Sequence, residues 1–423
     1  MSSMPRWLAS RLPHTCVQRP EVAPRRRRAN AASLAPRAAA RRLSHTAAAW
    51  LACLTLAACG TGMPRTAAVP PATQASAVVA TTGGPVQGLR GADMDEYLGI
   101  PYAAPPVGNL RWRPPQPPQP TQTVLHATHF APTCAQAPRG AFASPSEAED
   151  CLYLNVFAPR GAATDRATSR PVMVWIHGGG LFSGESNDYD ASALVRAGAI
   201  VVTLNYRLGA LGFLSQPALD AEGHAYANYG LMDQQAALHW VQHNIAAFGG
   251  DPRKVTSFGQ SGGASSVLAQ LASPAAAGLF QRAIVQSGTR IAPYTPQQAL
   301  AAGAAFAASA GCADQSAQCL RALDVRQILR HQASIARYIG THFPVVDGAI
   351  VTRTAQQAFE HGEFNRVPVV NGLVADEQAF FLPELMTGAA PLDADGYRRF
   401  LQSFGASHSA ALRDAYPLAS YAS

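Results

Sequence analysis

Val255-Thr256-Ser257-Phe258-Gly259-Gln260-Ser261-Gly262-Gly263-Ala264 is the stretch that decides the fold. Its first four residues read as a short buried strand, and Ser265 to Leu271 continues it as a helix. Between them stands G-x-S-x-G. A tight strand-to-helix turn lifts the serine Oγ off the end of a sheet, and small flanking residues are required because a Cβ there would strike the backbone. The pentapeptide alone arises by chance. With a strand before it and a helix after it, the pattern marks Ser261 as a candidate nucleophile. The helix N-terminus adds a field that favours a developing anion.

Upstream, His177-Gly178-Gly179-Gly180 follows the apolar run Val172 to Ile176. Attack on an acyl carbonyl creates an oxyanion, which needs N–H donors already aimed at it. Consecutive glycines let a backbone come close to a substrate and present its amides. The candidate donors are Gly179, Gly180 and, after the serine, Gly262. His177 lies within this loop and reads as structural, not as a base.

Further outward, Pro171 to His177, Ala199 to Asn205, Ala283 to Gln286 and Val367 to Asn371 are short apolar runs bounded by Gly or Pro. Such runs read as fully buried strands of a parallel sheet. Leu231, Leu238, Val241, Ile245 and Phe248 recur at helical spacing and are closed by Gly249-Gly250. Strands alternating with helices predict a doubly wound α/β domain. Pro114 to Pro120 reads as a rigid surface connection.

Composition agrees with a large core. The chain has 423 residues, 48% hydrophobic and only 14% charged, with a formal net charge of +7. That composition excludes a disordered chain. The charge is unevenly placed. Residues 1–58 carry ten arginines against one acid, Glu21, a balance of +9, and leave the remainder at −2. A nucleic-acid partner suggested by the pI of 9.2 therefore loses its support. Arg41-Arg42 precede an apolar run from Thr46 to Ala58, shorter than the roughly 20 residues that span a bilayer. Basic residues, a short apolar run and small residues before a cysteine make an export signal. Leu56-Ala57-Ala58-Cys59 resembles a bacterial lipobox, which makes Cys59 a candidate lipidation site; plain secretion is the alternative. On this reading residues 1–58 are a leader, 59–80 a tether and 81–423 the folded domain. Export admits disulfides, and four of the seven cysteines lie in the domain. The spacing of Cys and His suits no zinc site. No metal or nucleotide motif appears, so no cofactor is implied.

With these motifs in view, the chain resembles the type-B carboxylesterases, the family that includes the cholinesterases. Glu149-Asp150-Cys151-Leu152-Tyr153-Leu154-Asn155 resembles one of its signatures. Asn205 to Leu214, Asn228 to Gln234 and Phe248-Gly249-Gly250-Asp251-Pro252 resemble others. The resemblance covers roughly residues 81–423. It implies an α/β-hydrolase fold with a mostly parallel central sheet flanked by helices, and hydrolysis of small-molecule carboxylic esters through an acyl-enzyme. It implies disulfides Cys134–Cys151 and Cys312–Cys319, and ion pairs Arg111–Glu149 and Arg207–Asp233. Ser287 resembles a serine near the triad acid. That acid falls at Glu377, with Asp376 as its rival.

Three residues depart from the family pattern: Gln260 where Glu is common, Gly262 where Ala is common, and Gln378 where Gly is common. Gln260 removes a negative charge and weakens any case for a cationic alcohol. Leu181 and Phe182, after the glycine loop, suggest an apolar pocket. The resemblance places the triad histidine, in a Gly-x-x-His context, beyond Ser423. His408, in Ala406-Ser407-His408-Ser409, lacks that context. The expectation from sequence is thus an incomplete hydrolase domain without its base, with a catalytically impaired or binding-only homologue as the alternative.

Overall fold

The computed structural model describes residues 74–138, 144–165, 167–288, 295–339, 344–375, 393–402 and 405–417. The strands among them are β1 (Gln74–Ala75), β2 (Val79–Thr81), β3 (Gly84–Gln87), β4 (Leu89–Arg90), β5 (Met94–Pro101), β6 (Leu125–His126), β7 (Tyr153–Pro159), β8 (Arg170–Ile176), β9 (Ile200–Leu204), β10 (Gly250–Gln260), β11 (Arg282–Gln286) and β12 (Val369–Gly372). The helices are α1 (Ser192–Arg196), α2 (Gly209–Phe213), α3 (Pro217–Asp220), α4 (Tyr229–Asn244), α5 (Gly262–Ala272), α6 (Pro296–Ser309), α7 (Ala317–Ala322), α8 (Val325–Ile339), α9 (Ala355–His361), α10 (Ala394–Gln402) and α11 (Ala406–Ala415).

Nine strands form one sheet in the order β1-β4-β5-β7-β9-β8-β10-β11-β12, and β2-β3-β6 form a small second sheet. From β9 to β12 every pairing is parallel; from β1 to β9 every pairing is antiparallel. The five runs read from sequence as strands all fall in the parallel half. This is the α/β-hydrolase architecture.

The antiparallel half is less legible. β5 carries Asp95 and Glu96, which break an apolar run, yet Asp95 is buried. Its carboxylate accepts from Arg90 Nε at 3.0 Å and from the Gly161 amide at 3.0 Å, so the buried charge is matched. Described strands also reach into the span read from sequence as a tether, 59–80. β1 and the first two residues of β2 lie inside that span, and Val79 is in the core. Short strands without alternation leave no periodic signal.

Two elements position the site. β8 buries Val172, Val174 and Ile176 on one face of the sheet, as a strand covered on both sides must. β10 is longer than the apolar run Val255–Phe258, because Gly250 pairs with Arg170 across an irregularity in register. α4 then packs beside α5. Its predicted stripe of Leu231, Leu238 and Val241 is buried, with Ile245 and Phe248 in the 3₁₀ turn that follows. Gly249 ends that turn at φ 89°. Each such side chain contributes roughly 1.5–3 kcal/mol on burial. Amide side chains stitch α4 to α5: Gln234 Nε2 donates to Ser266 Oγ at 3.0 Å, Gln235 Nε2 to Gln270 Oε1 at 2.8 Å, and Gln270 Nε2 to Leu231 O at 3.1 Å.

Both expected ion pairs form. Arg207 donates through its amide, Nε and Nη2 to the fully buried Asp233 at 3.0, 2.8 and 2.7 Å. Arg111 and Glu149 meet at 2.6 and 2.5 Å. At the far end of the sheet β12 pairs only with β11 among the described residues. Val370, Leu373 and Val374 there are 64%, 74% and 61% exposed.

Candidate active site

Ser261 stands at the turn from β10 into α5 with φ 53° and ψ −122°. That conformation is costly for a residue with a Cβ, by about 1–3 kcal/mol, and persists only where neighbours enforce it. Here they do. The Ser261 amide donates to Gln286 O on β11 at 2.9 Å, and its carbonyl accepts from the Ser265 amide at 2.9 Å. Gly263 explains the sequence requirement: a Cβ on it would lie 2.0 Å from Ile176 O. The helix therefore starts against the end of β8, which only glycine permits.

The glycine loop leaves β8 at the same edge. Gly179, Gly180 and Leu181 take φ of 105°, 65° and 67°. Gly179 O accepts from the Ser183 amide at 3.1 Å and Ser183 Oγ at 3.0 Å, which curls the loop back on itself. A Cβ on Gly262 would lie 2.8 Å from Gly180 N and 3.1 Å from Leu181 N. Loop and helix start are thus in backbone contact. Gly262 is the first residue of α5, where an amide lacks an intrahelical acceptor. The structure therefore brings Ser261, Gly179, Gly180 and Gly262 to one spot.

His177 sits beneath that loop, 1% exposed. Its Nδ1 is 2.8 Å from Gly178 O, and its ring stacks on Tyr206 at 4.4 Å. The Tyr206 hydroxyl donates to His177 O at 2.9 Å. Burial pushes the imidazole down to about 4, so it is neutral near pH 7. Leu181 is fully buried in the core and its carbonyl accepts from the Gly209 amide at 2.8 Å. It braces the loop; Phe182 is the residue whose ring lies against Gly180. Ser287 follows β11, one strand over, also at positive φ, 50°, and its amide donates to Gly372 O at 2.7 Å.

Cys134–Cys151 and Cys312–Cys319 are bonded, at S–S distances of 2.04 and 2.06 Å. Glu377, its rival Asp376 and Cys59 lie outside the described residues. Among the described residues no group of three or more His, Cys, Asp or Glu could hold a metal, and no helix is long and apolar enough to cross a membrane. One residue escaped the sequence reading. Gln136 hydrogen-bonds the end of the glycine loop, and its only sequence signal is its place two residues past Cys134.

A strained serine opposite a glycine loop, on a sheet of this order, defines a class of protein, and comparison with known sequences agrees. The chain belongs to the carboxylesterase family, whose model matches residues 75–409. It is 41% identical over 315 residues to the fumonisin B1 esterase of Sphingopyxis macrogoltabida, covering 72% of this chain and 57% of that protein. It is 40% identical over 322 residues to the para-nitrobenzyl esterase of Bacillus subtilis, covering 73% of this chain and 64% of that one. Among solved structures a PNB esterase superposes with a TM-score of 0.70 at 36% identity, covering 80% of this chain and 72% of the other. The chain thus spans less than two thirds of the length of those two sequence relatives.

Proposed function

We propose that this protein hydrolyses carboxylic esters of small molecules through an acyl-enzyme on Ser261. The observation that carries the reading is the contact between the amides of the glycine loop and the turn that holds Ser261. Ser261 Oγ attacks the ester carbonyl. The N–H groups of Gly179, Gly180 and Gly262 receive the oxyanion, and the α5 N-terminus favours its charge. The alcohol leaves with a proton, and water then releases the acid from the serine. Glu377 is the carboxylate assigned to orient the base. The base itself is not His177, which is buried, neutral and tied to Gly178. The neutral Gln260 beside the nucleophile favours uncharged alcohols over cationic ones. The substrates named for the relatives, fumonisin B1 and a para-nitrobenzyl ester, are both esters and support this class.

Two measurements test it. In a protein that carries its triad histidine, assayed with p-nitrophenyl butyrate, Ser261→Ala is expected to lower turnover by roughly 10⁴-fold or more. A fluorophosphonate is expected to label Ser261 covalently. Unlabelled Ser261, or a Ser261→Ala chain as fast as the parent, overturns the assignment. Labelling without turnover would point to an impaired catalyst.

The same reading extends to location. Two bonded disulfides suit an oxidising compartment, and Cys59 after Leu56-Ala57-Ala58 suits a lipid anchor outside the cytoplasm. Cys59→Ser is expected to move the protein from the membrane fraction to the soluble one.

A further inference from the structure

Gln136 is 1% exposed and belongs to no motif of the site. Its side chain is nonetheless fully engaged with the glycine loop. Gln136 Oε1 accepts from the Gly184 amide at 2.8 Å. Its Nε2 donates to Gly184 O at 3.0 Å and to Cys134 O at 3.2 Å. One carboxamide thereby takes both the donor and the acceptor of a single glycine, as a neighbouring strand would. The backbone of Gln136 is itself fixed, exchanging hydrogen bonds with Ser146 at 2.9 and 3.0 Å. Both residues lie between the bonded cysteines Cys134 and Cys151. The residue after Gly184 repeats the tie: Glu185 Oε2 accepts from Thr133 Oγ1, just before Cys134, at 2.8 Å.

Gly184 matters because of what it touches. At φ +109°, a Cβ on it would lie 2.4 Å from Gly178 O and 2.5 Å from His177 Nδ1. The closing residue of the loop is therefore packed against its opening residues. Whatever fixes Gly184 fixes Gly178, and with it the direction of the next two amides. We infer that Gln136 is a positioning residue of the ester-cleaving site, its carboxamide clamping Gly184 so that the Gly179 and Gly180 amides stay aimed at the oxyanion. The clamp rests on the reading of those amides as oxyanion donors. It also gives the Cys134–Cys151 segment a role in the chemistry. Its described residues Cys134, Gln136 and Ser146 are the anvil against which the glycine loop is held.

The side-chain chemistry fixes the test. Methionine matches glutamine in length and offers Gly184 neither donor nor acceptor. Glutamate keeps the acceptor for the Gly184 amide and loses the donor to its carbonyl. In the full chain, hydrogen exchange of the segment around Gly184 is expected to be slow, and to speed up by about tenfold or more in Gln136→Met because a buried amide loses its acceptor. Gln136→Glu is expected to keep much of that protection. With p-nitrophenyl butyrate, Gln136→Met is expected to lower kcat by about 10- to 100-fold and leave KM within about twofold, since misaimed donors cost transition-state and not ground-state binding. Gln136→Glu is expected to fall between.

Exchange at Gly184 that is fast in the parent chain, or unchanged in Gln136→Met, overturns the clamp. So does a Gln136→Met chain with the parent's kcat, or one whose whole loss lies in KM. If Gln136→Met does not fold, the parent's exchange rate and the Gln136→Glu variant decide the matter. A parent chain that neither cleaves the ester nor takes the fluorophosphonate on Ser261 would refute the proposed function alone, because the exchange arm does not depend on turnover.

Discussion

β9 and β12 read alike in the sequence and live differently in the fold. Ile200-Val201-Val202-Thr203-Leu204 and Val369-Val370-Asn371-Gly372 are both short β-branched runs, and both pair in parallel with a neighbour. β9 lies between β7 and β8 and is buried at every residue. β12 closes one end of the described sheet and is exposed at every residue. Burial is a property of neighbours. A branched side chain gains nothing from its own strand; it gains from the strands and helices that exclude water around it. The nucleophile turn sits between these extremes. Ser261 can hold a strained backbone because β8 and the glycine loop pack one side of β10, while β11 anchors its amide from the other.

The contrast can be broken at several places. The largest effect is expected on the packed side, at Asp233→Ala, which leaves Arg207 buried without its partner. Denaturant unfolding should show a loss of about 3–5 kcal/mol; an unchanged midpoint would mean the pair is not the buried one described. Next comes Ile200→Ala in β9, which removes a fully buried side chain and should cost about 2–5 kcal/mol. The third test uses pH. Burial holds His177 down at about 4, below the ordinary histidine value of 6.5. The unfolded chain therefore takes up a proton near pH 6.5, and the folded chain only near pH 4. The stability tied to neutral His177 is complete above about pH 6.5 and is lost as pH falls toward 4. Between pH 6.5 and 5 the loss is about 2 kcal/mol, and it should vanish from the pH dependence of the urea midpoint in His177→Asn. The smallest effect is expected at Val370→Ala in β12, within about 0.5 kcal/mol. A cost there as large as that of Ile200→Ala would erase the distinction between the two strands.

Particular residues show where the sequence was legible. The G-x-S-x-G turn and the glycine loop were, because tight turns and close backbone approach demand glycine at fixed places, and only glycine satisfies them. The stripe on α4 was, because helical burial repeats every three to four residues. β5 was not, because Asp95 and Glu96 look solvated until Arg90 and the Gly161 amide are brought beside Asp95. Gln136 was not, because a single carboxamide has no period and its partner Gly184 is distant in the chain. Leu181 was half legible: apolar as expected, but packed into the core.

The sequence by itself determined that a strand, a sharp turn and a helix present Ser261, and that consecutive glycines follow another strand. These are local demands of backbone sterics, written within a few residues. Only the tertiary structure decided that Gly262 touches Gly180, that His177 is buried and neutral, and that Gln136 reaches Gly184. Each of these joins segments far apart in the chain, and no local rule of sterics or periodicity records a contact made by folding.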